Sequence, residues 1–199
     1  MDEYPKQVAL TDGETIVLRP LQRDDEQALI QFFAELEPGS AQFMKHDVRD
    51  PAVVRYFVEN IDPDAVWAIV AVTNEGKIVG DATLHMNKRG WRRHIGEVRG
   101  VVAEPYRRRR LATALVHELV EQASVRKLRK LKAEILATQR DARKVFERMG
   151  FRVEARLSQH ATDHEGNPHD VLILTNSVDE LWNKMEELIA GMELAGGKF

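Results

Sequence analysis

Apolar residues recur along this chain with two periods, one near 3.6 and one of 2, and the switches between them mark its elements. Thr15–Pro20 (TIVLRP) is short, β-branched and closed by proline, as a strand. From Asp24 and Asp25, Leu29, Phe32, Phe33 and Leu36 repeat at helical spacing, and Pro38-Gly39 supplies a stop. A second helix opens at Asp50-Pro51, carries Val54, Phe57, Val58 and Ile61 on one stripe, and ends at Asp62-Pro63. Val66–Val72 and Ile78–Met86 read as strands of a hairpin, joined by Asn74-Glu75-Gly76-Lys77. After a polar loop with Lys88, Arg89, Arg92 and Arg93 comes a strand over Ile95–Ala103.

Beyond Pro105 the period becomes helical again: Leu111, Leu115, Leu119 and Ala123 form one row and Ala112, Val116 and Val120 another. Leu131–Thr138 follows directly as a strand, so the strands flanking this helix are expected to run parallel. A helix over Gln139–Met149 carries Ala142, Val145, Phe146 and Met149 and stops at Gly150. Phe151, Val153, Ala155 and Leu157 alternate with Arg152, Glu154, Arg156 and Ser158, predicting a half-buried strand whose partner is Val171–Thr175. Ser177-Val178-Asp179-Glu180 is a capping box for a last helix with Leu181, Met185, Leu188, Ile189 and Met192, after which Gly196–Phe199 is expected to fray. The order β-α-α-β-β-β-α-β-α-β-β-α predicts an α/β fold with a mixed, mostly antiparallel central sheet and helices on both faces. Residues 1–177 are expected to form one domain, with 178–199 a helical extension packed on it or on a second copy in a homodimer.

The 199 residues, 43% hydrophobic and 31% charged, fit a globular chain with a real core. Twenty-nine Lys and Arg against 32 Asp and Glu give a net charge of -3, which argues against nucleic acid as the main partner. The chain has no cysteine, so disulfides, thiol nucleophiles and thiolate zinc sites are excluded, and a cytoplasmic location is expected. No apolar run approaches membrane-spanning length, and no membrane partner is expected.

Chemistry concentrates where the strand Ile95–Ala103 turns into the helix of Leu111. The free N–H groups and positive dipole end of such a helix hold phosphate groups readily. Arg107, Arg108, Arg109 and Arg110 stand at this mouth, where cations oppose the dipole and an anion would reconcile them. The alternatives are a solvated turn, or a nucleic-acid contact aided by Arg126, Lys127, Arg129, Lys130 and Lys132.

These residues resemble the GCN5-related N-acetyltransferase superfamily, whose central helix opens with Gln/Arg-x-x-Gly-x-Gly/Ala. Arg107 and Ala112 match its ends and Arg110 stands at its first glycine. Val102-Ala103-Glu104-Pro105-Tyr106-Arg107 is similar to the preceding Val-x-Pro-x-Tyr-Arg run, with the proline displaced by one. A second block, Ala142-Arg143-Lys144-Val145-Phe146-Glu147-Arg148-Met149-Gly150-Phe151, is similar to Ala-x-x-Leu-Tyr-x-x-x-Gly-Phe. The resemblance covers about Thr15–Thr175. It implies acetyl-CoA as co-substrate, its pyrophosphate on the backbone of Arg108, Arg109, Arg110, Leu111, Ala112 and Thr113. It implies pantetheine pairing at Val101, Val102 and Ala103, Gln139 and Phe146 beside the cofactor, and direct attack by an amine without a covalent enzyme intermediate. Phe146 replaces the tyrosine, and Gln139 the asparagine, that many members carry.

The resemblance implies Glu97 as the candidate general base, since members that use a glutamate carry it on this strand; a structural role beside Arg99 or Arg93 is its alternative, and His85 is the reserve. The acceptor is expected to be a small primary amine, with Glu35, Glu37 and Asp47 tilting the choice toward a cationic one. Rival readings are an acyl-CoA-binding module without turnover and a nucleic-acid binder using Arg107–Arg110. No metal is expected: His117-Glu118-Leu119-Val120-Glu121 reads as a solvated face, and for His160, Asp163, His164, His169 and Asp170, around the last hairpin, a place bordering the substrate mouth is the alternative to a metal site.

Overall fold

The computed structural model describes residues 4–37, 40, 44, 46–163 and 165–194. Its elements are β1 (Lys6–Ala9), β2 (Thr15–Pro20), α1 (Glu26–Glu35), α2 (Pro51–Asn60), β3 (Val66–Val72), β4 (Ile78–Met86) and β5 (Ile95–Val102). They continue as α3 (Leu111–Val125), β6 (Lys130–Leu136), α4 (Arg140–Arg148), β7 (Arg152–Thr162), β8 (Pro168–Ser177) and α5 (Val178–Leu194). The strands form one mixed sheet in the order β1-β2-β3-β4-β5-β6-β8-β7. The β1/β2, β2/β3, β6/β8 and β7/β8 ladders are antiparallel, and β5/β6 is parallel, as a helical crossover requires.

The local chemistry explains the boundaries. Asp50 accepts the Ala52 amide at 2.9 Å with Pro51 in the first turn of α2, and Ser177 Oγ accepts the Glu180 amide at 3.2 Å at the start of α5. Gly150 ends α4 at φ +102°, where its amide bonds Glu147 O and that of Phe151 bonds Phe146 O, both at 3.0 Å. Two expectations are corrected. The sheet starts earlier, at β1, a four-residue edge strand in which only Val8 is buried, too short for alternation to reveal. β7 is not half-buried throughout: Val153 is 38% exposed, because β7 pairs only with β8 and register shifts at 153/155 and 157/161 break the face pattern. Pro38-Gly39 and residues 196–199 lie outside the described residues.

The chain forms two compact units. The first holds residues 1–83 and Gly100–Leu115. Its core joins Leu29, Phe32, Phe33, Val54 and Val58 from α1 and α2 to Val70, Val72 and Ile78, with Val101 and Ala103 packed against it. β3 is buried at every position from Trp67 to Val72, so both its faces are covered. The second unit holds Leu84–Arg99 and Val116–Lys198. There Leu119, Leu131, Met149, Leu174 and Leu181 are fully buried, and Met185 keeps only 1% exposure, so this much of the α5 stripe is covered within a single chain.

Candidate functional site

The site is built where β5 leaves the first unit's core. Ala103 is held to β4 by its amide on Val79 O at 2.9 Å, and Glu104–Tyr106 makes a single 3-10 turn. The backbone then takes two left-handed residues, Arg108 at φ +58° and Arg110 at φ +73°, before α3 begins at Leu111. Arg110 thus holds the conformation that glycine normally supplies, at a cost of about 1 kcal/mol for a residue with a Cβ. The first intrahelical acceptance is Ala114 N on Arg110 O at 3.1 Å. Among the described residues nothing accepts from the amides of residues 108–113. Six successive N–H groups at the positive end of a fifteen-residue helix make an anion cradle.

The four arginines separate into two pairs. Arg107 turns back: its Nε donates to Val102 O at 3.1 Å and its Nη2 to Ser40 Oγ at 2.5 Å. Arg109 also turns back, pairing with Glu14 at 2.6 Å and with Asp12, while its guanidinium lies 4.9 Å from the Tyr106 ring centroid. This contact draws the Asp12 carboxyl below, and the Arg109 guanidinium above, their ordinary values. The guanidinium groups of Arg108 and Arg110 bond to nothing among the described residues. Arg107 and Arg109 therefore brace the loop, and Arg108 and Arg110 are the cations left for a ligand. Val101 and Ala103 are half-buried and Val102 buried; the β5/β6 ladder covers Ile95–Val98 and stops before them.

A residue that sequence reasoning missed lies in the same unit. A Cβ added to Gly80 would meet Leu115 Cδ1 of α3 at 3.0 Å, and one on Gly100 would meet the Ala82 Cβ at 3.2 Å. Asp81, between Gly80 and Ala82, therefore points to the other face, the face on which Val101 and Ala103 pack against α1 and α2. Its side chain is buried, Oδ1 has no hydrogen-bond partner among the described residues, and burial pushes its pKa up to about 7. In the sequence it is one aspartate inside an apolar run, and only the missing partner distinguishes it. Glu37 and Glu104 form a carboxyl pair in which the hydrogen bond that protonated Glu37 donates to Glu104 raises the Glu37 pKa.

The remaining candidates belong to the second unit, apart from Glu35 and Asp47. Glu97 is 2.7 Å from Arg99 and 2.9 Å from Lys132, an ion-paired carboxylate. Gln139 spends its side-chain oxygen on the Leu136 amide at 2.9 Å, in the turn before α4. Phe146 is half-buried and edge-on to Phe151, 5.1 Å between centroids, and His85 is half-buried on β4. Glu35 pairs with Lys77 at 2.7 Å, and Asp47 accepts the Arg49 amide at 3.3 Å. His117-Glu118-x-x-Glu121 is not a solvated face: Glu118 is 4% exposed and the His117 ring stacks on Trp182 at 5.6 Å. In the last hairpin His169 pairs with Asp163 at 3.0 Å, pulling that carboxyl well below the usual range, and Asp170 pairs with Arg156 at 2.7 Å. His160 is exposed, and His164 lies outside the described residues.

Comparison with known proteins bears on this site. Residues 27–151 match the profile described as the acetyltransferase (GNAT) family. Among solved structures the chain is similar to a ribosomal-protein-alanine N-acetyltransferase from Brucella melitensis, 25% identical with a TM-score of 0.70 over 80% of this chain and 98% of that one. It is also similar to a GNAT-family acetyltransferase from Streptococcus pneumoniae, 23% identical, TM-score 0.71, over 81% of this chain and 99% of that one. A phosphinothricin acetyltransferase from Sinorhizobium meliloti, solved in complex with AcCoA, is 18% identical with a TM-score of 0.70 over 81% of this chain and 88% of that one. No curated protein matches the chain significantly in sequence.

Proposed function

The chain belongs to the acetyltransferase (GNAT) family, and from that premise we propose that it transfers the acetyl group of acetyl-CoA to a primary amine by direct attack, in the cytoplasm. The observation that carries this reading is the run of six amides at residues 108–113 and the guanidinium groups of Arg108 and Arg110, all without a partner among the described residues. A diphosphate suits the polarity of this cradle. Acetyl-CoA supplies the activated acyl group. Its arm would lie along Val101, Val102 and Ala103, beyond the end of the β5/β6 ladder, where it would compete with Arg107 Nε for the Val102 carbonyl.

An ammonium substrate must lose a proton before it attacks. Asp81 suits the role of base, since it lies in the same unit as the cradle, has no counter-ion among the described residues to hold its charge, and has a pKa raised by burial to about 7. Glu97 is already engaged by Arg99 and Lys132, which favours a positioning role for it. The Glu37–Glu104 pair beside Ala103 presents negative charge to an approaching cation, which supports a cationic small amine.

The test is acetyl-CoA binding by calorimetry followed by thiol release against a panel of polyamines, amino acids and peptide N-termini. Saturable binding with turnover on a cationic amine is expected. Binding without turnover on any amine would favour the acyl-CoA-binding module, in keeping with Phe146, which has no hydroxyl to protonate a departing thiolate. In the active case, Asp81→Asn should abolish the acid limb of kcat/KM near pH 7, whereas Glu97→Gln should leave that limb in place. The opposite pattern would return the base role to Glu97.

A further inference from the structure

The second unit carries a basic pocket that acetyl transfer does not use. The β4–β5 loop, Asn87–His94, holds four cations in eight residues, and the turn from α3 into β6, Arg126–Lys130, holds four in five; neither holds a carboxylate. Folding brings the two together: the Arg129 amide bonds His94 O at 2.9 Å and the Lys130 amide bonds the same oxygen at 3.2 Å. The result is an open cavity of about 540 Å³ lined by Lys88, Trp91, Arg93, His94, Lys127 and Arg129.

Trp91 is 82% exposed, with the Arg92 guanidinium 5.2 Å from its ring centroid. Arg89, Arg92, Arg93, Lys127 and Arg129 form no ion pair with a carboxylate among the described residues. Lys127 even occupies the left-handed cap of α3 at φ +58°, a position that glycine fills most cheaply. The net charge of -3 argues against a polyanionic partner only while the cations are summed, and here they are gathered on one surface.

We propose that this pocket binds single-stranded nucleic acid, with a base stacked on Trp91 and phosphates held by Arg93, Lys127 and Arg129. The cations alone would serve any polyanion, but an exposed indole braced by arginine is a stacking platform, which carboxylates do not use. A lipid surface would call for further apolar side chains around the indole, and this loop otherwise carries Asn, Lys, Arg, Gly and His.

The experiment is a fluorescence-anisotropy titration of a labelled oligouridylate of about 12 nucleotides, with a polyglutamate peptide and anionic phospholipid vesicles as competitors. Binding should weaken with salt, with a log–log slope of about -2 to -4 for roughly three to five phosphate contacts. Trp91→Ala should weaken it about tenfold, and Arg93→Glu with Lys127→Glu should abolish it. Arg108→Glu, at the acetyl-CoA cradle, should leave it unchanged, which separates this site from the transferase reading. Both sets of side chains are exposed, so circular dichroism should show native folds. No binding at low salt, no effect of Trp91→Ala, or competition by polyglutamate or vesicles as effective as by unlabelled oligonucleotide would overturn the proposal.

Discussion

A carboxyl stripped of water and given no cation stabilises a fold only while it keeps its proton, and Asp81 is held in that way. Its folded pKa of about 7 stands well above the unfolded value near 3.9. The stability it contributes is therefore fully present below about pH 4 and is lost as pH rises through 7. Asp81→Asn cannot ionise, so urea denaturation should show the variant losing less stability than wild type between pH 5 and 8. At pH 8 the difference should reach a few kcal/mol, about 4 at most. Parallel stability curves for the two proteins would mean that the carboxyl finds a partner in solution. Arg110 carries the second residue-scale prediction. Alanine there keeps the left-handed strain and removes only the guanidinium, so Arg110→Ala should raise the acetyl-CoA Kd about tenfold. Arg110→Gly removes the strain as well and should gain up to about 1 kcal/mol of stability while binding no more tightly than wild type. Tighter binding by the glycine variant would show that the arginine obstructs the cradle, and would overturn the transferase reading.

At the scale of elements, most of the order was legible because each helix and strand buries a face wide enough to set a period: α3 with its two apolar rows, β3 with its apolar run, and α2 with Asp50-Pro51 before it. β1 was illegible because an edge strand with one buried side chain has no period. β7 misled because alternation predicts which residues share a face, not whether anything covers that face. The close packing of β5 against its neighbours was also invisible. A Cβ on Gly96 would come within 2.7 to 2.9 Å of methyls from Leu84, Leu128 and Leu131. The glycine is there because three leucines close over it, so Gly96→Ala should cost about 1–3 kcal/mol by overpacking, read as a lower urea midpoint. Gly76→Ala offers a contrast: nothing lies within 4 Å of its Cβ, and only its φ of +85° opposes the change. An unchanged midpoint in Gly96→Ala would show that the three leucines give way to the added methyl group.

Over the whole molecule, the cradle could be located in the sequence because a strand, a short turn and a helix N-terminus are consecutive in the chain. The division of labour among its arginines could not, because it depends on Asp12, Glu14 and Ser40, which reach the loop from about 70 to 100 residues earlier in the chain. The same limit hid Asp81, whose significance lies in a partner that is missing, and the basic pocket, whose two halves stand 32 residues apart between His94 and Arg126. Binding at the cradle should nevertheless be felt by the entire fold. A ligand that binds only the folded chain adds RT ln(1 + [L]/Kd), about 2.7 kcal/mol at a hundred times Kd. For a chain of this size each kcal/mol moves Tm by about 2–4 °C, so saturating acetyl-CoA should raise Tm by roughly 5–11 °C. Arg108→Glu places a negative charge beside the diphosphate and should remove most of that rise without lowering the ligand-free Tm, since its guanidinium bonds to nothing among the described residues. Pantetheine, which lacks the diphosphate, should shift Tm little in either protein, because the amides of residues 108–113 would then have no anion to hold. A full shift with pantetheine, or an unchanged acetyl-CoA shift in Arg108→Glu, would show that the binding energy comes from elsewhere than this helix mouth.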